Sequence, residues 1–367
     1  MVVGAPEIAR AQAPMTPVSP RSASPSVPAD AVTLSGVTAS SSGTVSQPAP
    51  MSFNPLELLQ GIARYVRDRA TATEEPPELH GLVFMQRPDG SMVDLKLPGT
   101  TTPDIPPGGP DIPAEAVKNN RVVIYVDGIQ QPRSTQEDQI RRLFLAQGPS
   151  HGANVDQPVI AIHEGVGKTI AYDVSRIACD WMYLKALQTK MIPVSWVRKK
   201  IYRLDAVVKP VHDEIRQSLA AGRDVQLIAH SGGGCETALA LTMLSREDGG
   251  RWKNLIRNHV KVLALAPGAA KEDYELAGVK PENVFYTGSK MDPLWHFAEN
   301  YIHPSSLPAN VKAGVAGLQS LRMVMQKTGI PQHSPDYIFW RNMDPAGGHH
   351  IQRFFDGTEQ GGKRELP

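Results

Sequence analysis

From Arg121 onward the chain alternates between short, unbroken apolar runs and longer stretches with apolar positions at helical spacing. The runs are Val122–Val126, Val159–His163, Val225–Ala229, Val260–Leu265 and Val284–Thr287, with a weaker one at Tyr337–Trp340. Strands buried on both faces read as continuous apolar runs, whereas half-buried strands alternate. Between the runs, Thr135–Gln147, Tyr172–Gln188, Tyr202–Ala221 and Gly232–Arg246 read as helices. Strands and helices in alternation imply right-handed βαβ units and a parallel sheet. Ahead of them, Gly81–Gln86 and Ser91–Leu97 flank Arg87-Pro88-Asp89-Gly90, a hairpin signal. The expected fold is therefore α/β: a mostly parallel, doubly wound sheet of about eight strands with a leading antiparallel hairpin.

The flanks read differently. Residues 1–50 hold eight prolines and nine serines, but only four charges and no aromatic residue. Such a segment buries too little surface to offset its ordering entropy, so a disordered Pro/Ser-rich tail is expected there. It has neither the basic start nor the apolar stretch of a secretory signal. Its composition resembles the flexible starts of bacterial effectors exported without one. Synthesis in the cytoplasm followed by such export therefore stays open beside a plain linker. Order is expected from Asn54-Pro55, a helix start. Leu58, Leu59, Ile62, Tyr65 and Val66 then share one face to about Ala70. A proline- and glycine-rich loop, Leu97–Pro113, precedes the main sheet. The expected division is a tail at 1–50, one domain at 51–357 with a cap insertion at 296–335, and a flexible C-terminal tail at 358–367.

Composition narrows the partners. Across 367 residues, 38 lysines and arginines against 37 acids leave a formal charge of +1, so no whole-chain field steers nucleic acid. Cys179 and Cys235 have no C-x-x-C or zinc-type spacing, and His296 and His303 supply none. No metal and no cofactor are expected. No apolar run reaches the ~18–20 residues of a membrane span, so a soluble protein is expected.

In an open α/β sheet, ligands bind beyond the carboxyl ends of the strands. Past Val225–Ala229 comes His230-Ser231-Gly232-Gly233-Gly234, followed by a helix. A nucleophilic serine needs a sharp strand-to-helix turn, with small residues two before and two after it so that the backbones can pass. Ala229 and Gly233 meet that need, although a serine capping a helix after a glycine turn would look the same. Past Val284–Thr287 lies Asp292, a carboxylate able to orient a histidine or simply a turn residue before Pro293. Past Tyr337–Trp340 lies Gly347-Gly348-His349-His350-Ile351-Gln352, a loop free to reach across the sheet, where a surface histidine is the plainer reading.

Serine, acid and histidine, each past a successive strand, form the chain order of the α/β-hydrolase triad. From about Gly81 to Phe355 the sequence resembles the α/β-hydrolase superfamily on its lipase/esterase side, with Ala229 where the family has its first glycine. The resemblance implies Ser231 as nucleophile, Asp292 as acid and His349 as base, with His349 preferred to its neighbour His350. Asp127-Gly128-Ile129 stands where the family usually has His-Gly. By resemblance, the N–H groups of Ile129 and Gly232 form the oxyanion hole. Asp127 departs from the pattern by placing a carboxylate near that hole, unless its side chain turns away. Asp127, His230 and His350 are pocket candidates, as are His163 and Glu164 at another strand end.

The expected function is cleavage of a small-molecule or lipid acyl ester through an acyl-enzyme. The competing class is a non-catalytic interaction protein on the same scaffold, an exported bacterial effector among the options. Gly165-Val166-Gly167-Lys168-Thr169 resembles the end of a phosphate loop, but Ile162 stands where its first glycine is required, which argues against a nucleotidase. Arg198, Lys199, Lys200 and Arg203 beside Trp196 and Tyr202 read as a solvated helix start or a contact for an anionic headgroup.

Overall fold

The five strong apolar runs become the centre of one eight-stranded sheet, described by a computed structural model over residues 74–76, 79–87, 89–96, 112–146, 157–167, 170–204, 206–289, 295, 298, 350–356 and 361–366. All of these belong to one compact unit, Gln47–Pro367. The tail at 1–50, the helix expected over 54–70, the run Tyr337–Trp340 and nearly all of the 296–335 insertion lie outside the described residues.

The strands are β1 (Val83–Gln86), β2 (Met92–Lys96), β3 (Arg121–Val126), β4 (Val159–Ile162), β5 (Asp224–His230), β6 (Val260–Leu265), β7 (Val284–Ser289) and β8 (Gly362–Leu366). They run in the order β2-β1-β4-β3-β5-β6-β7-β8. β1 is antiparallel to both β2 and β4, and every other pairing is parallel. The expected hairpin closes through Arg87 N–H to Ser91 carbonyl at 2.8 Å, with Gly90 at φ +84° and Asp89 Oδ1 accepting the Ser91 N–H at 2.9 Å. Register then sets the site. Ile162, Val126 and Ala229 are level across β4, β3 and β5, and His230 is level with Leu265 and so with Thr287. The residues just past these strands therefore share one edge of the sheet.

Helices α1 (Arg133–Ala146), α2 (Ile170–Gln188), α3 (Val194–Leu204), α4 (Val208–Ala220), α5 (Gly232–Ser245), α6 (Arg251–His259), α7 (Lys271–Leu276) and α8 (His350–Asp356) cover both faces. Ile140 and Leu143 of α1 and Ile351, Phe354 and Phe355 of α8 pack with Tyr125 and Val123 on one face. The opposite face holds α2, α4, α5 and α6, packed on Ile124, Val126 and Leu227. Every residue of α5 is buried, which its run of glycine, alanine and leucine permits.

Two expectations change. The helix expected at Tyr202–Ala221 is two: α3 starts after Pro193, whose carbonyl accepts the Trp196 and Val197 N–H groups at 3.1 and 3.2 Å, and α4 restarts at Val208. Pro210 interrupts nothing, because it sits in the first turn of α4, where a missing N–H has no helical partner to lose. Residues 358–367 are not all tail: Gly362–Leu366 is the edge strand β8, parallel to β7. Its Lys363-Arg364-Glu365 charges suit an edge that must not pair with another chain. His350 opens α8, which precedes β8.

Candidate active site

β5 delivers the chain to Ser231 and α5 takes it away with no linker. Ser231 holds φ +54° and ψ −124°, a backbone region that side chains other than glycine rarely occupy. Residues of this kind persist only where their surroundings over-determine them. Here they do. The Ser231 N–H donates to the Leu265 carbonyl at 3.2 Å, and the Ser231 carbonyl accepts the Gly268 N–H at 2.6 Å and the Gly234 N–H at 3.0 Å. Two neighbouring strand ends share the pattern, with Gln130 after β3 at φ +60° and Ala266 after β6 at φ +44°.

Close approaches explain the glycines. A Cβ on Gly233 would stand 2.6 Å from the Val126 carbonyl oxygen and closer still to that of Asp127, so only glycine lets α5 leave beside β3. A Cβ on Gly128 would stand 2.8 Å from Ser231 Oγ and closer still to Ser231 Cβ. The loop after β3 therefore lies directly against the serine. A Cβ on Gly232 would stand 3.1 Å from Ile129 Cγ2, which makes the two candidate oxyanion donors neighbours. Among the described residues, neither the Ile129 nor the Gly232 N–H donates a hydrogen bond. Gly232 is the first residue of α5, where an N–H has no partner within the helix and the dipole favours negative charge.

Asp127 turns away from this corner. Its Oδ1 accepts the Gly128 N–H at 2.7 Å and lies 3.0 Å from the Tyr125 hydroxyl, which itself lies 2.6 Å from Gln139 Oε1. Tyr125 belongs to the face of α1 and α8, whereas Ile129 and α5 belong to the other. Burial, with the Asp127 charge beside it, pushes the Tyr125 hydroxyl well above its usual pKa, so it remains a donor. His230 is buried on the same side, its Nδ1 3.4 Å from Asp127 Oδ1. Both are supports behind the loop.

The other strand-end candidates divide. Glu164 is buried against Gly232: a Cβ there would stand 3.3 Å from its Oε2. Its Oε1 pairs with Arg176 of α2, which also reaches Glu236 Oε1 at 3.5 Å. Nothing in the sequence marked Arg176, because it sits mid-helix. His163 instead faces away, with Nε2 2.8 Å from Glu75 Oε2 and Nδ1 2.8 Å from Gln136 Oε1. Gln136 Nε2 donates to the Ile162 carbonyl at 3.0 Å, which fixes Oε1 as the acceptor. Two donors of the phosphate-loop resemblance are already taken, since Glu75 accepts the Val166 N–H and Asp173 that of Gly167; Lys168 and Thr169 lie outside the described residues. Asp292 and His349 lie outside the described residues, and His350 is described through its backbone alone. The carboxyl end of its helix is pinned by Arg121 Nη1 on the Phe355 carbonyl and Gln226 Nε2 on that of Phe354, at 3.0 and 3.3 Å.

Among the described residues, no group of three or more His, Cys, Asp and Glu side chains converges as metal ligands would. None of the described helices is long and apolar enough to cross a membrane. No family model matches the chain, and no curated protein or solved structure matches it either.

Proposed function

We propose that the protein is a serine hydrolase of carboxylic esters, built on an α/β-hydrolase fold. The observation that carries this reading is the strained Ser231 turn with the unengaged N–H groups of Gly232 and Ile129 beside it. In this mechanism Ser231 Oγ attacks the acyl carbonyl as His349 takes its proton. The two N–H groups hold the oxyanion, and His349 returns the proton to the leaving alcohol. Asp292 fixes the imidazole tautomer and stabilises its charged form. Water then releases the acyl group by the same steps in reverse order. Each oxyanion donor contributes about 100-fold or more in rate. Ser231 itself is buried at the sheet edge.

A second reading, a scaffold that binds without catalysis, draws on Glu164: its carboxylate beside Gly232 would oppose an oxyanion. The Arg176 pairing offsets that charge. Turnover of a p-nitrophenyl ester series separates the two. The hydrolase reading expects turnover that falls by about 10⁴-fold or more in Ser231→Ala and comparably in His349→Ala, with His350→Ala largely spared. Folded wild-type protein without turnover, or turnover indifferent to Ser231, overturns it.

A further inference from the structure

The surface formed by the end of α2, the connection to α3 and the first turns of α3 has a composition unlike the rest of the chain. From Trp181 to Leu204 there are six cations and no acidic residue, in a protein whose formal net charge is only +1. Two of the six are spent internally, Lys185 on Asp273 and Arg198 on Glu247. Lys190, Lys199 and Lys200 are exposed and make no ion pair among the described residues. The same surface exposes Met182 at 55%, Met191 at 78% and Trp196 at 46%, three of the five large apolar side chains that the described residues leave open. Trp196 rests on Tyr183 of α2 with ring centroids 6.0 Å apart, so α3 carries its aromatic group at the junction of the two helices. Lys199 and Lys200 lie three and four residues on, flanking Trp196 on the same helical face. Val197 and Ile201 point the other way, into the core.

We propose that this surface docks on an anionic lipid bilayer. Tryptophan and methionine enter the headgroup boundary while lysines on long alkyl stems reach the lipid phosphates, the arrangement of an interfacial helix. The cation type favours a bilayer over a protein partner. Lysine is a flexible point charge suited to a diffuse anionic surface, whereas Arg198, with the arginine fork for a fixed carboxylate, is engaged with Glu247. At 1.5 Å per residue, Gln188 at the end of α2 lies about 16 Å along the helix from Ile177, which borders the Ser231 turn. The contact therefore holds the protein at a membrane without covering the serine. It stands whether or not Ser231 is catalytic.

The test is co-sedimentation of the full chain, as Ser231→Ala so that no lipid is consumed, with vesicles of phosphatidylcholine alone or mixed with phosphatidylglycerol. Binding is expected to the mixed vesicles and to vanish near 1 M salt, where the Debye length is about 3 Å. Each lysine contributes a factor of about five, so Lys199→Glu with Lys200→Glu lowers partitioning by about 25-fold or more. Trp196→Ser weakens it further. The charge-matched control, Lys253→Glu with Arg257→Glu on the exposed side of α6, leaves partitioning unchanged. Equal binding to both vesicle types, an equal loss in the control, or a change of oligomeric state in the α3 variants in place of lost vesicle binding overturns the proposal.

Discussion

Gly128→Ala tests the contact between the loop after β3 and the serine. Gly128 is not among the glycines with left-handed φ, so alanine meets no backbone penalty there and the effect is steric. The new methyl would begin 2.8 Å from Ser231 Oγ. Non-bonded carbon contacts settle near 3.5–4.0 Å, so something must yield by about 1 Å. The serine cannot, because its N–H and carbonyl are tied to Leu265 and Gly268. The 127–129 loop moves instead and carries the Ile129 N–H with it. Overpacking of this kind costs about 1–3 kcal/mol. A donor displaced by about 1 Å costs on the order of 100-fold in rate. The assay pairs kcat/KM on a p-nitrophenyl ester with a thermal melt. A lower melting temperature with wild-type kcat/KM would refute the oxyanion assignment. If both stayed at wild-type values, the contact itself would be refuted.

Other perturbations probe the supports. Ser231→Gly should exceed Ser231→Ala in stability by about 1–2 kcal/mol, since glycine relieves the strained φ and alanine does not; equal denaturation midpoints would show that no strain is stored there. Buried His212 lies between Asp213 Oδ1 at 3.2 Å and Glu247 Oε1 at 3.0 Å. Burial opposes its charge, but the two carboxylates outweigh it and raise its pKa above the usual 6.5. Its stabilisation is therefore complete below 6.5 and lost as pH rises through the raised value. The stability gap between wild type and His212→Gln should accordingly narrow as pH rises above about 6.5, and a gap constant with pH would contradict the paired imidazolium. Lys185→Met strands buried Asp273 and should cost about 3–5 kcal/mol by urea denaturation, with Lys185→Met/Asp273→Asn recovering part of it. An unchanged midpoint would mean that Gln188 and the Ala270 N–H satisfy Asp273 alone.

What could be read from the sequence follows burial. Val122–Val126, Val225–Ala229 and Val260–Leu265 are central strands with both faces covered, so their apolar runs are long enough to recognise. β8 is an edge strand of charged residues and offers no such run. α6 and α7 are short, with Trp252, Ile256 and Tyr274 as their main buried apolar anchors, too few to set a period. The turn at Ser231 was legible because three glycines there answer three close approaches. The Asp127–Tyr125–Gln139 network was not, because its members meet only once β3 and α1 are packed. For the same reason the fate of His163, tied to Glu75 from far upstream, lay beyond local pattern.

The central claim is that Ser231 is an activated nucleophile. Treating folded protein with a fluorophosphonate and locating the adduct by peptide mass spectrometry tests it directly. The account predicts one adduct, on Ser231, with labelling abolished in Ser231→Ala. An adduct on another residue, or none on protein shown to be folded, contradicts it.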